Sequence, residues 1–221
     1  MKRAFFGLAC TACLVVPILA QAETTYNIGA VSVYKFRGVD LGNPKGRPAY
    51  PALQGGVDTS FDNGFYIGNW NSTGKFNGAN LEVDFYGGHR GKISEAWSYD
   101  VGVIAVLYPG NDAGLNGREA NFSAIRGPLT VMYNYGLSGF VKKFQRLSVS
   151  YVHSINEEWK LQTTVGVRNR TAGKFTDYSV GVTRELGEGL SAGVAFSGTT
   201  RKAMLGGIGD DRLVLSVLKN F

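Results

Sequence analysis

The sequence predicts an all-β fold: a transmembrane, antiparallel, up-and-down β-barrel of twelve strands, with ten as the alternative count. Three observations predict it. Apolar and polar residues alternate from Tyr26 to Phe221 in segments of about ten, the length of a membrane-crossing strand. Connections between the segments alternate between short and long. An export signal precedes the first segment. In the alternation, Leu81, Val83 and Phe85 are set against Glu82, Asp84 and Tyr86, and Trp159, Leu161, Val165 and Val167 against Lys160, Gln162, Thr164 and Gly166. A period of two gives each strand one apolar and one polar face. A soluble sandwich could use that pattern, but a barrel in an outer membrane uses it on every strand, with the apolar face toward lipid.

Residues 1–22 read as a cleaved signal peptide: Lys2 and Arg3, the apolar stretch Ala4 to Ala20, then the small-x-small site Ala20-Gln21-Ala22. Pro17 and the cleavage site argue against a spanning helix. Acylation at Cys10 would leave too little apolar stretch, and Cys13 has Cys10 where an aliphatic residue is needed. Both cysteines leave with the signal, so disulfides, zinc thiolates and cysteine nucleophiles are excluded from the mature chain. Cleavage leaves 221 − 22 = 199 residues, and the charge falls from +6 to +4 because two basic and no acidic residues are lost. Residues 23–221 form one domain, without repeats, low-complexity tracts or a linker.

The first strand is expected at Tyr26–Arg37, the second at Ala52–Phe61 and the third at Gly64–Ser72. Ala79–Gly88, Ala96–Tyr108, Ala120–Ile125 and Leu129–Tyr135 follow. Arg146–Ile155, Glu158–Arg168, Phe175–Arg184, Leu190–Ser197 and Arg212–Phe221 complete the set. Asp62-Asn63, Arg126-Gly127-Pro128, Asn156-Glu157 and Glu185–Gly189 are tight connections. Connections of the other parity are mostly longer: Gly38–Pro51, Pro109–Glu119, Gly136–Gln145 and Gly198–Asp211. Gly38–Pro51 carries Pro44, Pro48 and Pro51 and reads as an ordered surface loop. Sorting loop length by parity is the asymmetry of an outer-membrane barrel, tight toward the periplasm and long outside. A soluble sandwich has no reason for it. Glycine supplies 31 of 221 residues, about twice its usual share. Several glycines lie inside strands with inward parity, where they either keep a modest lumen open or relieve strain in a curved wall.

Several phrases carry a family resemblance: VYKFRGVDLG at Val33–Gly42, PALQGGVDTSF at Pro51–Phe61 and GFYIGNW at Gly64–Trp70. LEVDFYGGH at Leu81–His89, WSYDVGVI at Trp97–Ile104 with YPG at Tyr108–Gly110, and DYSVGVTREL at Asp177–Leu186 continue it. The chain resembles the TorF-like family of proteobacterial outer-membrane porins over nearly its whole mature length. The resemblance implies a channel and leaves its solutes open.

Catalysis has little to work with. His89 falls in the turn after the fourth expected strand and His153 near the end of the eighth, both at the periplasmic end. His153 shares a face with Leu147, Val149 and Tyr151, with Ser148, Ser150 and Ser154 nearby. No nucleophile–base set converges, no His or Cys cluster has ligand spacing, and no glycine-rich loop has a strand–loop–helix context. The reading is therefore no enzyme, no catalytic residue, no metal and no cofactor, with an outer-membrane hydrolase a distant third function. Nucleic acid is excluded as a partner, since no basic aromatic platform is present.

The expected lumen carries the chemistry. Its candidate selectivity residues are Lys35 and Arg37 on the first strand, then Asp58, Glu82, Asp84 and Asp100 on the second, fourth and fifth. Lys160, Arg168, Asp177 and Arg212 follow on the ninth, tenth and twelfth. Facing lipid, each basic member would cost about 2–4 kcal/mol near the midplane, so they face water or one another. In a pore, opposite charges on facing walls orient hydrated solutes. In a plugged barrel they pair and close it, giving a structural or surface-interaction protein. Small inward residues (Gly102, Gly166, Ser179, Gly181, Gly193) favour a narrow open pore for passive diffusion of small hydrophilic solutes.

The outer loops lean basic at Lys45, Arg47, Lys75, Lys142, Lys143, Arg170, Lys174, Arg201 and Lys202, against Asp112, Glu119, Asp210 and Asp211. They either give a weak preference for anionic solutes at the mouth or meet lipopolysaccharide phosphates. Aromatics near strand ends, including Tyr26, Tyr34, Phe65, Phe85, Tyr151, Trp159 and Tyr178, fit interfacial girdles. Tyr66, Trp70, Tyr86 and Tyr108 have inward parity, which a sugar-stacking track would need. Phe221, in phase with Val217, Leu215 and Leu213, ends the chain as a signal to the barrel assembly machinery would, while Lys219 breaks that phase. Outer-membrane lipid, lipopolysaccharide and that machinery are the expected partners, and the outer membrane is the expected location.

Overall fold

The structure, a computed structural model, describes residues 22–110, 114–170 and 173–221. All of the expected signal peptide except Ala22 lies outside the described residues. The chain runs through β1 (Ala22–Val31), a small hairpin of β2 (Lys35–Phe36) and β3 (Val39–Asp40), then β4 (Ala52–Phe61), β5 (Phe65–Phe76) and β6 (Ala79–Lys92). It continues through β7 (Ser98–Leu107), β8 (Gly117–Arg126), β9 (Leu129–Gly139), β10 (Gln145–Ser154) and β11 (Trp159–Arg170). β12 (Gly173–Gly187), β13 (Leu190–Thr199), a short helix α1 (Lys202–Leu205) and β14 (Arg212–Asn220) complete it.

Twelve of these strands, all but β2 and β3, close into one antiparallel barrel in which each strand pairs with its neighbours in sequence. The seam joins β1 to β14, from Asn27↔Asn220 to Val31↔Ser216. Phe221 extends it, donating its N–H to the Tyr26 carbonyl at 2.9 Å and accepting from the Tyr26 N–H at 3.3 Å. Closure leaves no unpaired edge, the condition for strands to lie in hydrocarbon.

The outside is apolar all the way round. Ile28, Leu53, Ile67, Phe85, Val103 and Phe122 on one half, and Tyr133, Val149, Val165, Val180, Phe196 and Leu215 on the other, are exposed, one from each barrel strand. On β14, Leu213 is 64% exposed while Arg212 is buried, which is the reverse of a water-soluble protein. The polar face is inside, and the apolar contacts there are few: Tyr34, Ala52, Phe76, Ala79 and Tyr108 cluster at one end. Among the described residues no helix is long and apolar enough to cross a membrane.

Five connections of two to five residues (62–64, 93–97, 127–128, 155–158 and 188–189) lie at the end that carries the chain termini. The long connections, 32–51, 108–116 and 200–211, lie at the other, here called the loop end. The two-residue turn Asn77-Gly78 is also there, both residues having positive φ (48° and 107°), as a type I′ hairpin requires.

Every expected strand is found, with one correction of substance. The first strand ends at Val31, not Arg37. On β4, Pro51 precedes Ala52, which pairs with Val31. Beyond Val31 the regular ladder gives way to one bond from the Tyr50 N–H to the Ser32 carbonyl at 2.9 Å and a parallel bridge between Val33 and Tyr50, and the chain turns inward.

Candidate functional site

The inward turn builds the centre of the site. Lys35↔Asp40 and Phe36↔Val39 pair as a two-strand hairpin whose tip is Arg37-Gly38. Both tip residues have positive φ, +50° and +74°. Glycine tolerates this and arginine does not, so contacts must hold Arg37 there. Its guanidinium makes a bidentate bond to Glu119 on β8, at 2.9 and 2.6 Å. β8 is the fifth strand from β1 around the wall, so this pair crosses the lumen. Arg168 on β11 donates to the Arg37 carbonyl at 2.8 Å. A Cβ on Gly38 would run into the Gly198 carbonyl on β13 and come within 2.9 Å of Asp177 Cβ on β12.

The base of the hairpin is held equally firmly. Lys35 pairs with Asp40 at 2.8 Å, and its ammonium also donates to the carbonyls of Ile208 (3.4 Å) and Asp210. Arg212 on β14 donates to Asp40 at 3.1 Å and to the carbonyls of Gly46 (2.8 Å) and Gly207 (2.6 Å). Below the tip, Arg146 on β10 chelates Asp177 through 3.0 and 2.6 Å bonds and donates to Ser148 at 2.8 Å. Arg168 lies 4.0 Å from the same carboxylate, its guanidinium 3.9 Å above the Phe175 ring. Pairing and hydrogen bonds of this kind offset the cost of burying these ions.

The opposite wall, β4 to β7, is acidic and aromatic. Asp58 accepts from the Tyr86 hydroxyl at 2.6 Å. Glu82 accepts from Tyr34 at 2.9 Å and Tyr108 at 2.6 Å. Asp100 accepts from Tyr66 at 2.7 Å and Arg90 at 2.8 Å. Asp84 sits opposite Trp70 in register, and its Oδ1 has no hydrogen-bond partner. Across the lumen, β11 to β14 leave a cavity of about 260 Å³ lined by neutral groups, including Gln162, Thr164, Ser179, Gly181, Gly193 and Ser216. At the loop end, the hydrogen bond to Asp211 holds the Lys202 ammonium above its ordinary range.

All ten predicted selectivity residues lie on the inner side, but not all where they were expected. Lys35 and Arg37 belong to the infolded hairpin, not to the first strand's inner face. Asp58, Glu82, Asp84 and Asp100 line the acidic wall, whereas Arg168, Asp177 and Arg212 form the buried lattice. Lys160 pairs with Glu185 at 3.0 Å, toward the terminal end.

Sequence reasoning missed five charges, Glu185 on β12 among them. Glu119, expected in an outer loop, is a wall residue of β8 in phase with Asn121 and Ser123. Arg146 is in phase with Ser148 and Ser150. Asp40 and Arg90 complete the pairs. The signal for Glu119 and Arg146 was that phase, hidden because each opens its strand beside a long loop.

Tyr34, expected in an interfacial girdle, is buried inside on Glu82. Tyr26, Phe65, Phe85, Tyr151, Trp159 and Phe221 do face outward. The inward tyrosines Tyr66, Tyr86 and Tyr108 direct their hydroxyls into carboxylates, so they do not form an open stacking track. His89 is in β6, not a turn, and bonds Tyr99 and the Asn63 carbonyl at 3.0 Å each. His153 stacks on Tyr151, on the face opposite Ser148 and Ser150. Among the described residues no three His, Cys, Asp or Glu side chains are grouped to hold a metal.

Solved structures share this architecture. The KdgM porin, determined in complex with disordered oligogalacturonate, superposes with a TM-score of 0.63 at 12% identity, over 89% of this chain and 99% of that one. The NanC porin superposes with a TM-score of 0.54 at 13% identity, over 90% and 98%. At such identities the likeness is one of fold, the porin-like β-barrel. Among curated proteins none matches the sequence. The family model Gcw_chp, described as a bacterial protein of unknown function, matches residues 20–221, and the chain belongs to that family.

Proposed function

We propose that this protein is an outer-membrane channel for passive diffusion of small hydrophilic solutes, narrowed at its loop end by the Lys35–Asp40 hairpin. One observation carries the reading: an apolar exterior surrounds an interior of paired charges, with a charged hairpin tip lodged across it. Such an interior suits a hydrated path, and a hairpin held by a few ion pairs suits a constriction. The porin fold supports the reading, as does the resemblance of the sequence to TorF-like porins. That the KdgM porin was solved with oligogalacturonate supports passage of hydrophilic solutes through a barrel of this size.

The exposed basic groups Lys45, Arg47, Lys75, Lys142 and Lys143 support local enrichment of anions, solutes or lipopolysaccharide phosphates alike, at the mouth. Phe221 at the seam suits recognition by the assembly machinery. A second reading, a closed barrel with a surface role, is favoured by the burial of the Arg146–Asp177 lattice. Purified protein in a planar bilayer separates the two. Discrete, stable conductance steps are expected for the channel, and persistent silence sinks it in favour of the closed barrel.

A further inference from the structure

We infer that the inner wall formed by β4, β5 and β6 is a subsite for cationic solutes, monovalent ions or amines, held by uncompensated carboxylates beside aromatic rings. The inference rests on the channel reading and extends it to the charge that the interior admits.

The argument starts from who is paired with whom. Arg37 is neutralised by Glu119, Arg146 by Asp177, Lys35 and Arg212 by Asp40, Arg90 by Asp100 and Lys160 by Glu185. Arg168 is 4.0 Å from Asp177. Each of these interior cations therefore lies within 4.0 Å of a carboxylate. The converse fails for Asp58, Glu82 and Asp84, none of which has an ion-pair partner among the described residues. Asp58 and Glu82 are held by tyrosine hydroxyls, which orient a carboxylate without cancelling its charge.

Asp84 lacks even that. It is 7% exposed, its side chain has inward parity between Glu82 and Tyr86, and its Oδ1 has no partner. A buried carboxylate oxygen without a partner is costly to keep ionised, so it recruits a proton or a cation. Trp70 lies opposite Asp84 in register, Tyr34 packs on Trp70 at 5.4 Å, and the Tyr34 hydroxyl bonds Glu82, so aromatic rings adjoin the carboxylates. Ring faces and carboxylates together attract ammonium groups and weakly hydrated monovalent cations. Because no three acidic groups converge as metal ligands among the described residues, the field and the rings, not chelation, hold the guest. Past the mouth, an acidic sugar would meet, at these described interior cations, groups already engaged by carboxylates.

Trp70 is a built-in reporter, one of only three tryptophans. In full-length W97F/W159F protein in detergent, fluorescence quenching by caesium is compared with quenching by iodide. Caesium is expected to quench several-fold more efficiently, and Asp58→Asn with Asp84→Asn should bring the two quenchers close together. Asp84→Asn alone serves if the double variant does not fold. Equal or stronger quenching by iodide, quenching by neither ion, or a ratio unmoved by Asp84→Asn overturns the inference. The channel reading is decided separately by bilayer conductance. A silent bilayer with caesium preference intact removes the channel, not the cation wall, and conductance without caesium preference does the opposite.

Discussion

Replacing Glu119 by glutamine should release the hairpin tip and widen the pore. The pair it makes with Arg37 is mostly shielded, with side chains 7% and 15% exposed, and both oxygens are used, at 2.6 and 2.9 Å. Removing one partner of a buried ion pair costs about 3–5 kcal/mol, because the survivor stays desolvated. Here the survivor has other support. The Arg37 guanidinium lies 4.6 Å from the Phe36 ring centre and 5.2 Å from that of Phe144, so the low end, about 3 kcal/mol, applies. That is about a hundredfold shift in the balance between lodged and released tip. Single-channel recording reads it as a new, larger conductance level whose occupancy rises from rare to dominant. Arg37→Ala should reproduce it, and the double variant should add little, since both single changes break one interaction. If conductance levels and dwell times stay unchanged in both variants while the barrel remains folded, the tip is not the constriction.

Four further outcomes follow from the same contacts. Gly38→Ala places a Cβ against the Gly198 carbonyl at a residue with φ +74°, and should give the enlarged conductance without removing any charge. Glu82→Gln weakens two charge-assisted bonds from Tyr34 and Tyr108. It should lower stability in detergent unfolding by about 2–4 kcal/mol, and an unaffected midpoint would refute the clamp. Leu215→Arg puts a cation on the exposed face of β14 and should cost about 2–4 kcal/mol in reversible folding into vesicles, where a soluble protein would register almost nothing. Phe221→Ala keeps the backbone bonds to Tyr26, so stability should change little while the yield of assembled barrel in outer membranes falls, as quantified by membrane fractionation.

The wall of this barrel was legible because side-chain alternation is a local property, written every second residue, and the parity of loop lengths reports which end each connection occupies. The hairpin was not legible, because alternation persists through Val33–Arg37 while pairing does not. The first strand ends where its regular ladder with β4 runs out, at Val31 opposite Ala52, some twenty positions away in sequence. Ion pairing was hidden for the same reason. Arg37 and Glu119 are 82 positions apart, and Arg146 and Asp177 are 31 apart. Inward phase shows that such groups share an interior, but which of them meet depends on the inclination of strands around a closed wall.

The inward glycines fall into two groups, one of them with a role that neither an open lumen nor a curved wall supplies. Gly88 and Gly102 lie beneath the Tyr66 ring, where an added Cβ would fall 2.6 and 2.7 Å from its hydroxyl oxygen. Gly68 lies under Tyr86, and Gly166 under the Arg146 guanidinium. These glycines are sockets that let long inward side chains lie flat against the wall, which is how the interior accommodates tyrosines and arginines at all. Gly181 and Gly193 differ, for they border the neutral cavity on β11 to β14. The cavity is a local neutral stretch of a wall that elsewhere carries Lys160, Arg168, Asp177 and Arg212, and it lies across the lumen from the crowded tyrosines and carboxylates of β4 to β7. On the channel reading, a solute at this cavity would keep its hydration while lying in the field of Asp58, Glu82 and Asp84. On that reading, charge selection and room to pass fall on different parts of the interior, and a substitution in one should alter its own property while sparing the other.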